Sequence, residues 1–336
     1  MVLLSAVGAP LLLAGTLPVA CTGWHPARPL AGRVVCIDPG HGGTADVDQY
    51  RVGPGGEREE WIDLRVARLL GHELERRGAR VLMTRTEDVA VELRRRAEMA
   101  LEGGADLFLS VHQNATADPA VNLPVVYFHG NASENQAGVA LGRAVAGRLD
   151  EALFGGEARL GLVSDFAILP GTGAAVLRHS YGIPGVIAEA SFFTNPEEER
   201  WLRDAGYNRR EAQALARAME DFLARPIPPI EEEGSRVDLP PFEVFRESER
   251  KKPEARRWRE AFAEARELIV RGDPEALEQA YDRLTLSARA FPDSPIAGEC
   301  HRLRAAILLQ QGRPEEAERD RLRSVEHYVG GAGLAE

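Results

Sequence analysis

The stretch VVCIDPGHGG, residues 34–43, decides the reading of the fold. It opens on apolar and β-branched residues, as a buried strand does, and closes on an aspartate, a proline and a histidine set among glycines. Proline stops a strand ladder, and glycines let the backbone approach whatever the imidazole holds. Working outward, ARVLMT (79–84), DLFLSV (106–111), LPVVYF (123–128) and PGVIAE (184–189) also read as strands. All but LPVVYF are continuous enough, like the opening run, to be buried on both faces. Between the first two strands, Ile62, Val66, Leu69, Leu70 and Leu74 recur at helical spacing until Gly78. Further helices are predicted near residues 90–103, 134–154 and 207–224. This alternation predicts an α/β domain over residues 31–225, with a mostly parallel twisted sheet and helices on both faces.

The chain has 336 residues, enough for about two domains. Asp and Glu number 52 against 41 Lys and Arg, a net charge of −11 that argues against a nucleic-acid partner. Residues 226–253 are rich in proline and acid, lack a period and read as a linker. Residues 254–328 then read as a small all-α domain. GDPEALEQA at Gly272 and GRPEEAERD at Gly312 repeat a Gly-x-Pro-Glu turn, each leading into a helix. The pattern resembles paired tetratricopeptide-like helical hairpins; a plain helical bundle is the other reading. Such a region is a candidate for docking a partner protein.

The N-terminal run MVLLSAVGAPLLLAGTLPVAC is uncharged, proline-interrupted and too short to span a bilayer, but suits a secretory signal over residues 1–21. Ala20-Cys21 resembles the end of a bacterial lipoprotein signal, which implies a lipid anchor at Cys21. No Lys or Arg precedes the run and Pro18 stands where leucine is usual, so cleavage nearby without lipidation stays open. Cys36 and Cys300, the other two cysteines, read as small core residues.

Ligands of open α/β sheets bind outside the carboxyl ends of the strands. There the opening strand leads into His41, DLFLSV ends directly in His112, and PGVIAE ends in Glu189. A zinc site for hydrolysis needs three protein ligands and one open position for water. Two histidines converging on one sheet edge would supply two, and a carboxylate from GEREEW, among Glu57, Glu59 and Glu60, the third. Acids at a helix start also complement the helix dipole, and spacing alone does not choose among the three.

Five segments, VVCIDPGHGG, EEWIDLRVA, VLMTR, DLFLSVHQNA and VIAEASFFTNPEE, resemble in order and spacing the zinc-dependent N-acetylmuramoyl-L-alanine amidases, the bacterial cell-wall hydrolases. The resemblance implies Zn2+ held by His41, Glu59 and His112, with Glu189 as the catalytic glutamate. It implies peptidoglycan as substrate, cleavage of the amide between N-acetylmuramic acid and L-alanine, and a location in the periplasm or cell envelope. The chain departs from the family at Gln113 and at Ala190-Ser191, where small residues and glycine are usual, and in the longer approach AILPGTGAAVLRHSYGIPG. Alternatives are another zinc hydrolase of the same polymer and a non-catalytic peptidoglycan-binding scaffold. Of the remaining candidates, His129 reads as a surface or supporting residue, Arg178 as a residue reaching the cleft, and Arg94 to Arg96 as the solvated face of a helix.

Overall fold

The computed structural model describes residues 28–43, 51–250 and 252–329. The predicted signal and Cys21 lie outside them. Strand β1 (Val34–Pro39) is followed by α1 (Glu59–Arg76), β2 (Arg80–Met83), α2 (Leu93–Glu102), β3 (Leu107–Asn114) and β4 (Val125–Phe128). Next come α3 (Gln136–Leu149), β5 (Gly161–Ser164), α4 (Ala175–His179), β6 (Gly185–Phe192), α5 (Pro196–Leu202) and α6 (Ala205–Leu223). Beyond the proline-rich stretch the elements among the described residues are helices: α7 (Glu247–Arg250), α8 (Trp258–Arg271), α9 (Pro274–Ala290), α10 (Ala297–Gln310) and α11 (Pro314–Glu326).

The six strands form one sheet in the order β2-β1-β3-β6-β4-β5. β1, β2, β3 and β6 run parallel, and β4 pairs antiparallel to β6. The central strands bury alternate residues in opposite layers. Val35, Ile37, Leu107, Leu109 and Val111 pack under α1, α3 and α6, whereas Cys36 and Phe108 face the other layer with residues of α2 and α4. The expectation of a two-faced buried strand fails for β2. It lies at the sheet edge, where Arg80 is exposed and Val81 to Met83 are only half-buried. Strand β5 was not predicted because its four residues, GLVS, are too few to show a period.

The C-terminal helices pair as α8 with α9 and α10 with α11. Both Gly-x-Pro-Glu turns behave alike: Gly272 and Gly312 take left-handed backbone, and proline occupies the first turn of the next helix. These helices also close the second layer of the sheet. Trp258 and Phe291 join the cluster of Phe108, Tyr127 and Phe192, with the Phe192 and Phe291 rings 6.0 Å apart. Near the end of the described chain, the Val329 N–H donates to Leu162 and the Ser164 N–H to His327, covering the β5 edge. The proline- and acid-rich stretch is fastened too. Buried Glu134 accepts the backbone N–H groups of Gly234, Arg236 and Val237. Cys36 and Cys300 are buried, and burial pushes both thiols up to about 12, as befits core residues.

Candidate active site

Because β1, β3 and β6 are parallel neighbours, their carboxyl ends share one edge, and α1 starts there as well. His112 stands directly beside Glu189 in the β3–β6 register. The loop after β1 crosses this edge, with the Gly40 N–H donating to the Val111 carbonyl at 2.9 Å. A side chain at Gly40 would place its Cβ 2.4 Å from the His112 ring, so only glycine permits this approach.

His41 Nε2 lies 2.9 Å and His112 Nδ1 3.1 Å from the same oxygen, Glu59 Oε1. The two imidazoles meet edge to face, 4.6 Å between centroids. Asp63, one turn along α1, joins them: one ligand atom from each of His41, Glu59, Asp63 and His112 falls within 4.8 Å of all the others. Burial works to raise the Glu59 carboxyl, but the facing imidazoles outweigh it and hold the group well below its usual range. Burial lowers His112, which keeps its ring neutral, the form that ligates metal. Burial, reinforced by the Glu59 charge, holds the Asp63 carboxyl well above its ordinary value, and neither of its oxygens finds a hydrogen-bond partner among the described residues. A cationic group already stands among these donors: Arg51 Nη1 is 2.8 Å from His41 Nε2 and 3.4 Å from Glu59 Oε2. Two imidazole nitrogens, a buried carboxylate and an orphaned acid form a donor set that fits a divalent cation. Of the three acids in GEREEW, the structure brings only Glu59 into this cluster.

The loop that carries His41 is clamped from behind. His41 has φ +56°, the one positive value at a non-glycine position among the described residues. Arg96 donates through Nη2 to the His41 carbonyl and through Nη1 to Pro39 O, 2.7 Å, and Asp38 Oδ1, 2.8 Å. Arg85 donates to the carbonyls of Pro39, Gly40 and Glu60. Asp38 accepts from the Thr84 and Ser110 hydroxyls as well. The reading of Arg94 to Arg96 as a solvated face therefore holds for two of the three. Arg94 and Arg95 pair with Glu98 and Glu102 at the surface, but Arg96 is buried because Asp38 and three carbonyls need its donors.

A cleft of about 700 Å³ opens over the cluster, lined among others by His41, Glu59, His112, Asn114, Tyr127 and Glu189. Beside it the two departures from the family pattern prove to be partners. The Ser191 hydroxyl donates to Gln113 Oε1 at 2.8 Å, and Gln113 Nε2 donates to Glu211 at 2.9 Å. Burial pushes Glu211 up to about 8, so at neutral pH its carboxyl is largely protonated.

Other sequence candidates fall elsewhere. His129 is not a surface residue: it is buried, with Nδ1 2.7 Å from Asp165 Oδ2, outside the metal-type cluster. Arg178 donates to the Thr172 and Gly173 carbonyls and is not among the residues lining the cleft. Asp63, Arg85 and Arg96 were missed as site residues. The helical offset of four between Glu59 and Asp63 was the available signal for the first.

Comparison with known proteins supplies the family. The profile of the family described as N-acetylmuramoyl-L-alanine amidase matches residues 35–221. N-acetylmuramoyl-L-alanine amidase AmiA of Escherichia coli is 30% identical over 223 residues, covering 57% of this chain and 76% of that protein. Among solved structures, N-acetylmuramoyl-L-alanine amidase AmiC2 of Nostoc punctiforme superposes with TM-score 0.50 at 29% identity, over 58% of this chain and 99% of that one. An amidase from Clostridium difficile 630, 24% identical with TM-score 0.51, shares the fold over 58% of this chain and 98% of its own.

Proposed function

The chain belongs to the N-acetylmuramoyl-L-alanine amidase family, and on that premise we propose that His41, Glu59 and His112 hold a zinc ion beside Glu189 to open the muramoyl–L-alanine amide of peptidoglycan. The observation that carries this reading is the convergence of the two imidazoles on one oxygen of Glu59, with Glu189 in register beside His112. Zinc, when bound, supplies the Lewis acidity that brings a water's pKa toward neutrality and polarises a carbonyl.

The chain's own residues do the rest. The Asp38–Arg96 pair and Arg85 fix the Pro39–His41 backbone, so the His41 imidazole is aimed before any ligand arrives. Glu189 acts as general base: its carboxylate takes a proton from the attacking water, holds it, and delivers it to the nitrogen of the leaving L-alanine. That double role needs a carboxylate near the ligands but outside their set, and Glu189 lines the cleft without belonging to the four-residue cluster.

We further propose that residues 31–225 are the catalytic part, that 226–253 connect it to a tetratricopeptide-like region over 254–328, and that the protein works exported, in the cell envelope. Acylation at Cys21 would anchor it there, and mass spectrometry of the mature N-terminus distinguishes a lipid-modified cysteine from simple cleavage. The mechanism is tested with Glu189→Gln in the full chain. This variant should retain one zinc per chain and release no stem peptide from purified peptidoglycan. Turnover that survives the substitution removes Glu189 from its role, and loss of zinc would make it a ligand instead.

A further inference from the structure

The wall of the cleft opposite the sheet edge comes from outside the family region. Pro241, Glu243, Val244, Phe245, Arg246 and Arg250 line the same cavity as His41, His112 and Glu189, yet the family match ends at residue 221. Resting on the amidase reading, we propose that residues 241–250 form a strap that binds the peptide stem of the substrate, with Arg246 receiving one of its carboxylates.

The strap is built in, not draped. The Phe245 N–H donates to the Arg289 carbonyl at 2.9 Å, and Arg323 Nη2 donates to Pro240 O at 2.6 Å. The Phe242 ring meets His301 edge to face, 4.7 Å between centroids, and lies against the guanidinium groups of Arg304 and Arg323. At its far end the Arg250 carbonyl accepts the Ala117 N–H. Below it, buried Asp293, from the turn between α9 and α10, accepts from Asn114 Nδ2 at 3.1 Å and from the Tyr127 hydroxyl at 2.5 Å, with Arg250 Nη1 3.7 Å away. Asn114 is two residues beyond His112 on β3. The helical region thus backs the strap and, through Asp293, holds Asn114 and Tyr127 of the cleft lining in place.

Charge assigns the strap to the peptide half of the substrate. Of the cleft's three arginines, Arg51 is engaged by His41 and Glu59, and Arg250 by Asp293 and the Phe245 carbonyl. Arg246 is exposed, and among the described residues its guanidinium makes no hydrogen bond or ion pair. Glu243, also exposed, has no side-chain partner among them either, so the strap offers one unspent charge of each sign. The muramoyl glycan is uncharged where its lactyl group is tied up as an amide. A stem peptide carries free carboxylates and, at a diamino acid, an ammonium. Guanidinium recognises carboxylate through paired charge-assisted donors, and Glu243 suits the ammonium.

Equilibrium binding to the full chain tests this without turnover. The probe is a stem tripeptide ending in a diamino acid, offered with its carboxylates free and again with them amidated. The wild type should bind the free acid about fivefold more tightly than the amide, the scale of a partly exposed charge pair. Arg246→Ala should abolish that preference, and Arg246→Lys, which keeps the charge but loses the fork, should retain part of it. Equal binding of the two peptides by the wild type, or a preference that survives in Arg246→Ala, overturns the strap assignment. Peptide release from peptidoglycan, measured on the same preparations, separates the two readings. Discrimination without release counts against the amidase reading and leaves the strap standing, whereas release without discrimination does the reverse.

Discussion

Replacing Arg96 by methionine removes the clamp behind the His41 loop while filling much of its volume. It leaves the Asp38 carboxylate, 1% exposed, with only the hydroxyls of Thr84, 2.5 Å, and Ser110, 2.7 Å. Breaking one side of a buried ion pair costs about 3–5 kcal/mol, because the partner charge stays buried and uncompensated. The carbonyls of Pro39, His41 and Val91 lose donors in the same step. We expect urea unfolding to report a loss of about 3–5 kcal/mol at neutral pH. Adding Asp38→Asn should restore part of it, because the stranded charge then disappears. His41, held at φ +56°, would lose the donor on its own carbonyl, so zinc affinity should fall by about 10–100-fold. A single variant destabilised by less than about 1 kcal/mol, or a double variant whose loss is the sum of the two single losses, would refute the clamp.

Two further perturbations probe other parts of the site. Gly40→Ala should cost zinc affinity and activity together, because the new Cβ meets the His112 ring at 2.4–2.7 Å and must displace it; titration with a competing chelator reads the change, and unaltered affinity would mean that His112 is not held as described. Glu211→Gln should flatten the dependence of stability on pH. With the folded carboxyl near 8 against 4.5 for the free group, the unfolded chain alone gives up its proton between those values, and stability falls by about 1.4 kcal/mol per pH unit as pH rises. Urea unfolding at pH 5 and pH 8 should show the advantage of the variant growing with pH; parallel curves would place the Glu211 carboxyl near its ordinary value.

The parts of this site that could be read in the sequence are those carried by periodicity. Apolar runs that give way to His112, to Glu189 and, three residues before His41, to Asp38 mark where strands reach the site, although β3 and β6 run on to Asn114 and Phe192. Glu59 was different: three neighbouring acids are equivalent in spacing, and the family pattern, not the residues alone, singled it out. Arg96 was misread because a run of three arginines on a helix looks solvated, and nothing local records that Asp38 and the Pro39 carbonyl lie on its far side. Gln113 and Ser191 stood out only as separate oddities; their hydrogen bond exists because β3 and β6 are neighbours, 78 positions apart in the chain. The proline-rich segment looked like a free linker for a similar reason. Its fixings, Glu134 under residues 234–237 and Arg289 and Arg323 under the strap, are all distant side chains or carbonyls.

Identification of the bond opened in purified peptidoglycan tests the central claim most directly. The full chain, loaded with zinc, should release stem peptides bearing a new amino-terminal L-alanine and leave muramic acid with a free lactyl carboxylate, with no new reducing sugar ends and no deacetylated sugars. Products cut within the peptide, within the glycan, or at an acetyl group would contradict the assignment of this cleft to the muramoyl–L-alanine amide.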